Sequence, residues 1–65
     1  MKTIQFKQQE FRVPDWAKYI TEDVDGWCVW EGRPEYGDNA YYSGESFRRS
    51  SVNPVRNGYP AIMEI

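Results

Sequence analysis

The chain of 65 residues has no histidine and a single cysteine, Cys28. The first absence removes the side chain most often used as general base and metal ligand near neutral pH. The second rules out an intramolecular disulfide and any cysteine-rich metal site, and it points to a reducing compartment. Long apolar runs are missing too. No segment approaches the ~20 apolar residues of a membrane-spanning helix, and the opening residues, Met1 to Phe11, hold no apolar run of the signal-peptide kind. A soluble, cytoplasmic protein is expected.

Catalytic chemistry finds little to work with. Cys28 lies between Trp27 and Val29 with no histidine to activate it, and reads as a small buried thiol. Ser43, Ser46, Ser50 and Ser51 also lack a base. Neither the glycines at 32 and 37 nor Gly44 follow the spacing of a phosphate-binding loop. Glu22, Asp23 and Asp25 cluster at a turn, but a Ca²⁺ loop would need one more acidic position upstream and flanking helices. As a glycosidase pair they would need a carbohydrate-sized cleft, which a chain this short is not expected to build. The expectation is a protein that is not an enzyme and holds neither cofactor nor metal.

What the chain has is aromatic surface. Three Trp, five Tyr and three Phe stand in 65 residues, and Trp16, Trp27 and Trp30 all fall between Asp15 and Glu31. Sixty-five residues make one domain, near the lower size at which a hydrophobic core suffices, so side chains that bury much area each are needed for stability alone. Part of the aromatic excess is thereby accounted for.

The periodicity predicts a mainly β fold, a small single-domain antiparallel meander of three to four strands with an irregular C-terminal third. Ile4 and Phe6 alternate with polar neighbours in a strand from Lys2 to Gln8, and Phe11 and Val13 extend the pattern until Pro14. Residues 17–32 form the central hairpin, turning at Asp23-Val24-Asp25-Gly26, where Asp bonds locally to backbone and Gly tolerates positive φ. A helix from Pro14, with Trp16, Tyr19 and Ile20 on one face, is the competing reading. With Glu22 opposite Trp27, Ile20 faces Val29, Tyr19 faces Trp30, Lys18 faces Glu31, and Trp16 lies near Arg33. Each pair contributes a few tenths to ~1 kcal/mol, so they favour this register over a slip by one. Ile20, Val29 and Trp27 then share one face, and Tyr19, Cys28 and Trp30 the other. Beyond Gly32 the chain is turn-rich. A short strand is expected near Ala40 to Ser43, a loop over Arg48 to Pro60, and a terminal strand over Ala61 to Ile65.

Charge is uneven. Residues 1–14 carry Lys2, Lys7 and Arg12 against Glu10. Residues 15–45 set Lys18 and Arg33 against eight acids, and residues 46–65 set Arg48, Arg49 and Arg56 against Glu64. An acidic middle between mildly basic ends, with net charge −2, is a poor nucleic-acid footprint. Tyr41, Tyr42 and Phe47 interleaved with Arg48 and Arg49 nevertheless form a candidate platform for single-stranded nucleic acid. Protein binding is the stronger expectation. An aromatic hairpin face that the core cannot use matches hot-spot composition, with Trp16, Tyr19, Trp30 and Arg33 as candidate contacts. An unpaired edge strand could also join two copies into a homodimer.

The segment Val13 to Tyr36 resembles small bacteriophage and prophage accessory proteins. Their pattern is Pro-x-Trp-Ala-x-x-Ile/Val, an Asp-rich Asp-Gly turn, an aromatic strand and Glu-x-x-Pro, matched here by Pro14, Trp16, Ala17, Ile20, Asp23, Asp25, Gly26, Trp27, Trp30, Glu31 and Pro34. The resemblance implies an origin and a mode of action, in which such proteins bind and inhibit or modulate a host protein complex in the bacterial cytoplasm. It carries over no functional residue.

Overall fold

The computed structural model describes residues 1–24, 26–53 and 60–65. Its first hairpin shows how phase in a sequence becomes a surface. Strands β1 (Lys2–Phe6) and β2 (Gln9–Val13) pair antiparallel with Ile4 opposite Phe11 and Lys2 opposite Val13. The expected strand to Gln8 stops at Phe6 because Lys7 and Gln8 adopt φ of 52° and 64° and close a two-residue turn. The apolar residues change from even to odd positions across that turn. Ile4, Phe6, Phe11 and Val13 therefore share one face of the hairpin.

A short turn follows, with the Ala17 N–H donating to the Pro14 carbonyl at 3.0 Å. Strands β3 (Tyr19–Asp23) and β4 (Gly26–Trp30) then form the second hairpin. Its register is the expected one: Tyr19 faces Trp30, Ile20 faces Val29 and Glu22 faces Trp27. Gly26 has φ of 103°, which a side chain would resist. Strands β5 (Glu35–Gly37) and β6 (Ala40–Tyr42) make a third hairpin through Asp38 and Asn39, at φ of 55° and 67°. The strand expected near Ala40 to Ser43 is β6; its partner β5 was not expected, and Asp38 and Asn39, residue types that tolerate the left-handed region, turn the chain between them.

Strand β7 (Arg49–Asn53) lies antiparallel to β4, and β8 (Ala61–Glu64) antiparallel to β3, giving a four-stranded sheet in the order β7-β4-β3-β8. The mainly β, antiparallel fold is as the sequence predicts. The strands are more numerous; the terminal strand expected over Ala61 to Ile65 is β8, and Arg49–Asn53, expected to lie in a loop, is instead the other outer strand of the sheet. The expected turns at Pro54 and at Asn57-Gly58 lie outside the described residues. Among the described residues no helix is long and apolar enough to cross a membrane.

The sheet has two unlike faces. On the core face Ile20, Trp27 and Val29 meet Phe6, Phe11 and Val13 of the first hairpin together with Ala17. Ile20, Val29, Val13 and Ala17 are fully buried, and Phe11 meets Trp27 edge to face at 4.5 Å and 80°. Above this core Lys7, at the tip of the first hairpin, pairs with the buried carboxylate of Glu22. Burial alone would raise the Glu22 pKa. The Lys7 ammonium and the nearby Trp27 indole outweigh it, and the net shift is downward. The Trp27 N–H makes no well-formed hydrogen bond, so its part is the pull of a dipole at short range.

Candidate functional site

The opposite, distal face carries Tyr19, Thr21, Asp23, Cys28 and Trp30, because residues two apart on a strand point the same way. One row runs across all four strands: Glu64 beside Tyr19, Tyr19 beside Trp30, Trp30 beside Arg49. The Arg49 guanidinium lies 5.5 Å from the Trp30 ring centroid, and that of Arg33 lies 5.7 Å from the Tyr19 centroid. Since cross-strand partners stand ~5 Å apart, two cations cover two neighbouring rings.

Trp30 is 1% exposed, and its indole N–H donates to the Thr21 hydroxyl at 2.9 Å. That hydroxyl donates in turn to the Cys28 carbonyl at 3.4 Å, so the polar atoms under the rings are satisfied. Away from this row, at the far end of β3, the third hairpin is tied down by a hydrogen bond from the Tyr41 N–H to the buried Asp23 carboxylate at 2.7 Å. Between that hairpin and β7 lies a pocket of about 310 Å³ lined by Asp23, Cys28, Trp30, Tyr41, Arg49 and Ser51, among others. Burial raises the pKa of the Cys28 thiol more than Arg49 lowers it, so the thiol stays protonated. Burial, with Tyr36 and Asp23 nearby, raises that of the Tyr41 phenol. The pocket therefore offers a cation, the Asp23 carboxylate, hydroxyls and aromatic walls. Its volume is that of a single large side chain.

The residues expected to act together are divided by the fold. Trp16 packs against the core cluster with the Arg48 guanidinium 5.4 Å from its ring, and Arg33, expected beside Trp16, lies over Tyr19. The turn at Pro14 to Ala17 takes Trp16 out of line with the strand, which is why the extrapolated register fails there. Tyr19 is half-buried under Arg33. Trp30 forms the pocket floor and is sealed from broad contact. Lys18, expected opposite Glu31, gives its N–H to the Trp30 carbonyl, and the ion pair to Glu31 comes from Arg48 at 3.2 Å.

The candidate nucleic-acid set is divided as well. Strand alternation sends Arg49 to the distal face, while its neighbour Arg48 reaches Trp16 beside the core. Tyr41 lines the pocket, and its ring meets Tyr36 at 5.0 Å. Tyr42 points to the other side of the hairpin and lies over Gly37, 3.3 Å from where a Cβ there would stand. Phe47 packs so closely on Gly32 that a Cβ there would come within 2.8 Å of its ring, which marks it as a packing residue. Of the acidic cluster of the sequence, Glu22 and Asp23 face opposite sides of the sheet, and Asp25 lies outside the described residues. Tyr36 and Asp23 escaped the sequence reading as site residues. The turn residues Asp38-Asn39 were the signal that a hairpin would bring tyrosines back onto the sheet. No protein-family model matches the chain, and no curated protein or solved structure is similar enough to it to count as a match.

Proposed function

We propose that this protein is a non-catalytic interaction module whose partner is another protein, and that it inhibits or modulates a host macromolecular assembly as small phage accessory proteins do. The observation that supports protein binding is the distal face itself. Arg49, over the Trp30 ring, borders the pocket, Arg33 covers the neighbouring Tyr19 ring, and beside them stands a hairpin whose Tyr36 and Tyr42 are 46% and 47% exposed. Arg and Tyr are the residues that anchor protein interfaces, where rigid rings and planar cations lose little entropy on binding. The phage-like mode of action rests on the resemblance of residues 13–36. Binding of single-stranded nucleic acid has less support, since Arg48 and Arg49 diverge and the net charge is −2.

The test is capture from bacterial lysate on the immobilised protein, with and without nuclease, repeated with Arg49→Glu and with Tyr36→Ala/Tyr42→Ala. A stoichiometric protein retained after nuclease, and lost with at least one of these variants, is the expected result. Retention abolished by nuclease would transfer the assignment to nucleic acid.

A further inference from the structure

Strand β7 is an outer strand of the sheet, and its hydrogen-bond parity tells which of its backbone groups are spare. The Glu31 N–H donates to the Arg48 carbonyl at 2.8 Å, so this pair is hydrogen-bonded across the two strands. In an antiparallel ladder such pairs alternate with pairs whose N–H and C=O point outward. By that alternation Ser50 is bonded to Val29, whereas Arg49 and Ser51 turn their backbone groups to the outer edge of β7, which pairs with no other strand among the described residues. The side chains of the same two residues border the distal pocket. One short stretch of chain thus offers a template for strand pairing and, on the face above it, a cation and a cavity two residues apart.

We propose that an extended segment of a partner protein adds to β7 as a fifth, antiparallel strand, and that it carries an apolar-x-acidic sequence. The proposal rests on the protein-binding reading above and specifies its mode. Antiparallel addition sets the order. The partner residue opposite Ser51 comes first and turns its side chain into the pocket, over Cys28 and beside Tyr41. Two residues later, the residue opposite Arg49 places its carboxylate beside that guanidinium, with Arg33 one strand further in. A cavity of about 310 Å³ lies at the small end of the range for ligand sites, which suits a single large side chain. Strand addition supplies affinity through the backbone and specificity through alternate side chains, and both parts are present here. The other edge, β8, is not lined by this pocket. Downstream along β7 the register slips between Trp27 and Cys28, with Val52 as the extra residue, which confines regular pairing to the stretch around Arg49 to Ser51.

The intact ¹⁵N-labelled chain would be titrated with the capped peptide Thr-Thr-Phe-Thr-Glu-Thr-Thr. Two control peptides exchange the Phe and Glu positions or replace Glu by Lys. The expected result is slowed amide hydrogen exchange at Arg49 and Ser51, with shifts at Trp30 and Tyr41, and binding at least tenfold weaker for either control. Arg49→Glu, an exposed substitution that spares the core, should reverse the preference in favour of the Lys peptide. Shifts confined to β8 or to Tyr42, equal binding of all three peptides, or no binding at millimolar peptide would overturn the proposal. Slowed exchange at Arg49 and Ser51 that depends on protein concentration without peptide would also overturn it. In that case the occupant would be a second copy, whose Ile62-Met63-Glu64 has the same apolar-x-acidic order.

A chain of this length can be made by total synthesis, which allows the outward Ser51 amide to be N-methylated. If a captured partner binds Arg49→Glu and the N-methyl chain as well as the native one, docking at β7 fails while protein binding stands. If the peptide binds as described and no protein is captured, the functional reading fails while the β7 site stands.

Discussion

The two faces of the central sheet are built from the same two strands and are held by different forces. The core face is closed by apolar contact, with Ile20, Val29 and Trp27 against Phe6, Phe11 and Val13, and an ion pair, Lys7 with Glu22, sits at its margin. The distal face is closed by directional contacts: an indole on a hydroxyl, a backbone amide on a carboxylate, and guanidiniums over rings. Apolar burial tolerates small errors of placement and yields most of the stability. Directional contacts yield little net energy each but fix geometry and leave polar groups at the surface. In a chain this small, one face carries most of the apolar burial, and the other is the face on which the proposed recognition rests.

That division can be broken most severely from the core side. Phe11→Ala should cost about 3–5 kcal/mol, through lost burial and the cavity left beside Trp27, and chemical denaturation would show the chain unfolded or nearly so. On the distal face, Thr21→Val keeps the shape but leaves the buried Trp30 N–H without its acceptor. A loss of about 1–3 kcal/mol is expected, read as a shift of the denaturation midpoint with unchanged slope.

The marginal ion pair sharpens the comparison through pH. The Glu22 pKa is lowered in the folded state from its ordinary 4.5. Its stabilisation is therefore complete above that ordinary value and is lost as pH falls through the lower, folded one. Glu22→Gln should be destabilising at pH 7, and the gap to the native protein should close in thermal melts taken progressively below pH 4.5. The smallest effects belong to the arginines. Arg33→Ala and Arg49→Ala should each change stability by less than ~1 kcal/mol, in contrast to the effect of Arg49→Glu on binding.

The parts of the fold legible in the sequence are those where several local signals agree. The β3–β4 register was set by an apolar pair, an aromatic pair and an Asp-Gly turn acting together. In the first hairpin the signal was present but easily misread, because Phe11 and Val13 look like a continuation of Ile4 and Phe6 until their parity is compared. Strand β7 gives almost no signal. Of its residues Val52 packs against the core cluster, and Arg49, Ser50 and Ser51 are held by backbone pairing to β4, which side-chain patterning does not report. The distal pocket was hidden for the same reason. Its walls come from residues 23, 28, 30, 41, 49 and 51, and which of Arg48 and Arg49 joins them depends on the parity of that strand.

The topology also bears on the order of folding. The hairpins β1–β2 and β5–β6 close through two-residue turns, and such local events take about 1–10 μs. The outer strands β7 and β8 must instead find β4 and β3 across long stretches of chain, where loop closure is costly and slow. The sheet is therefore expected to be completed last at both edges. Until β8 arrives, β3 presents an open edge of its own next to Ile20 and Thr21, so the most adhesive form of this protein is a species on the way to the native one.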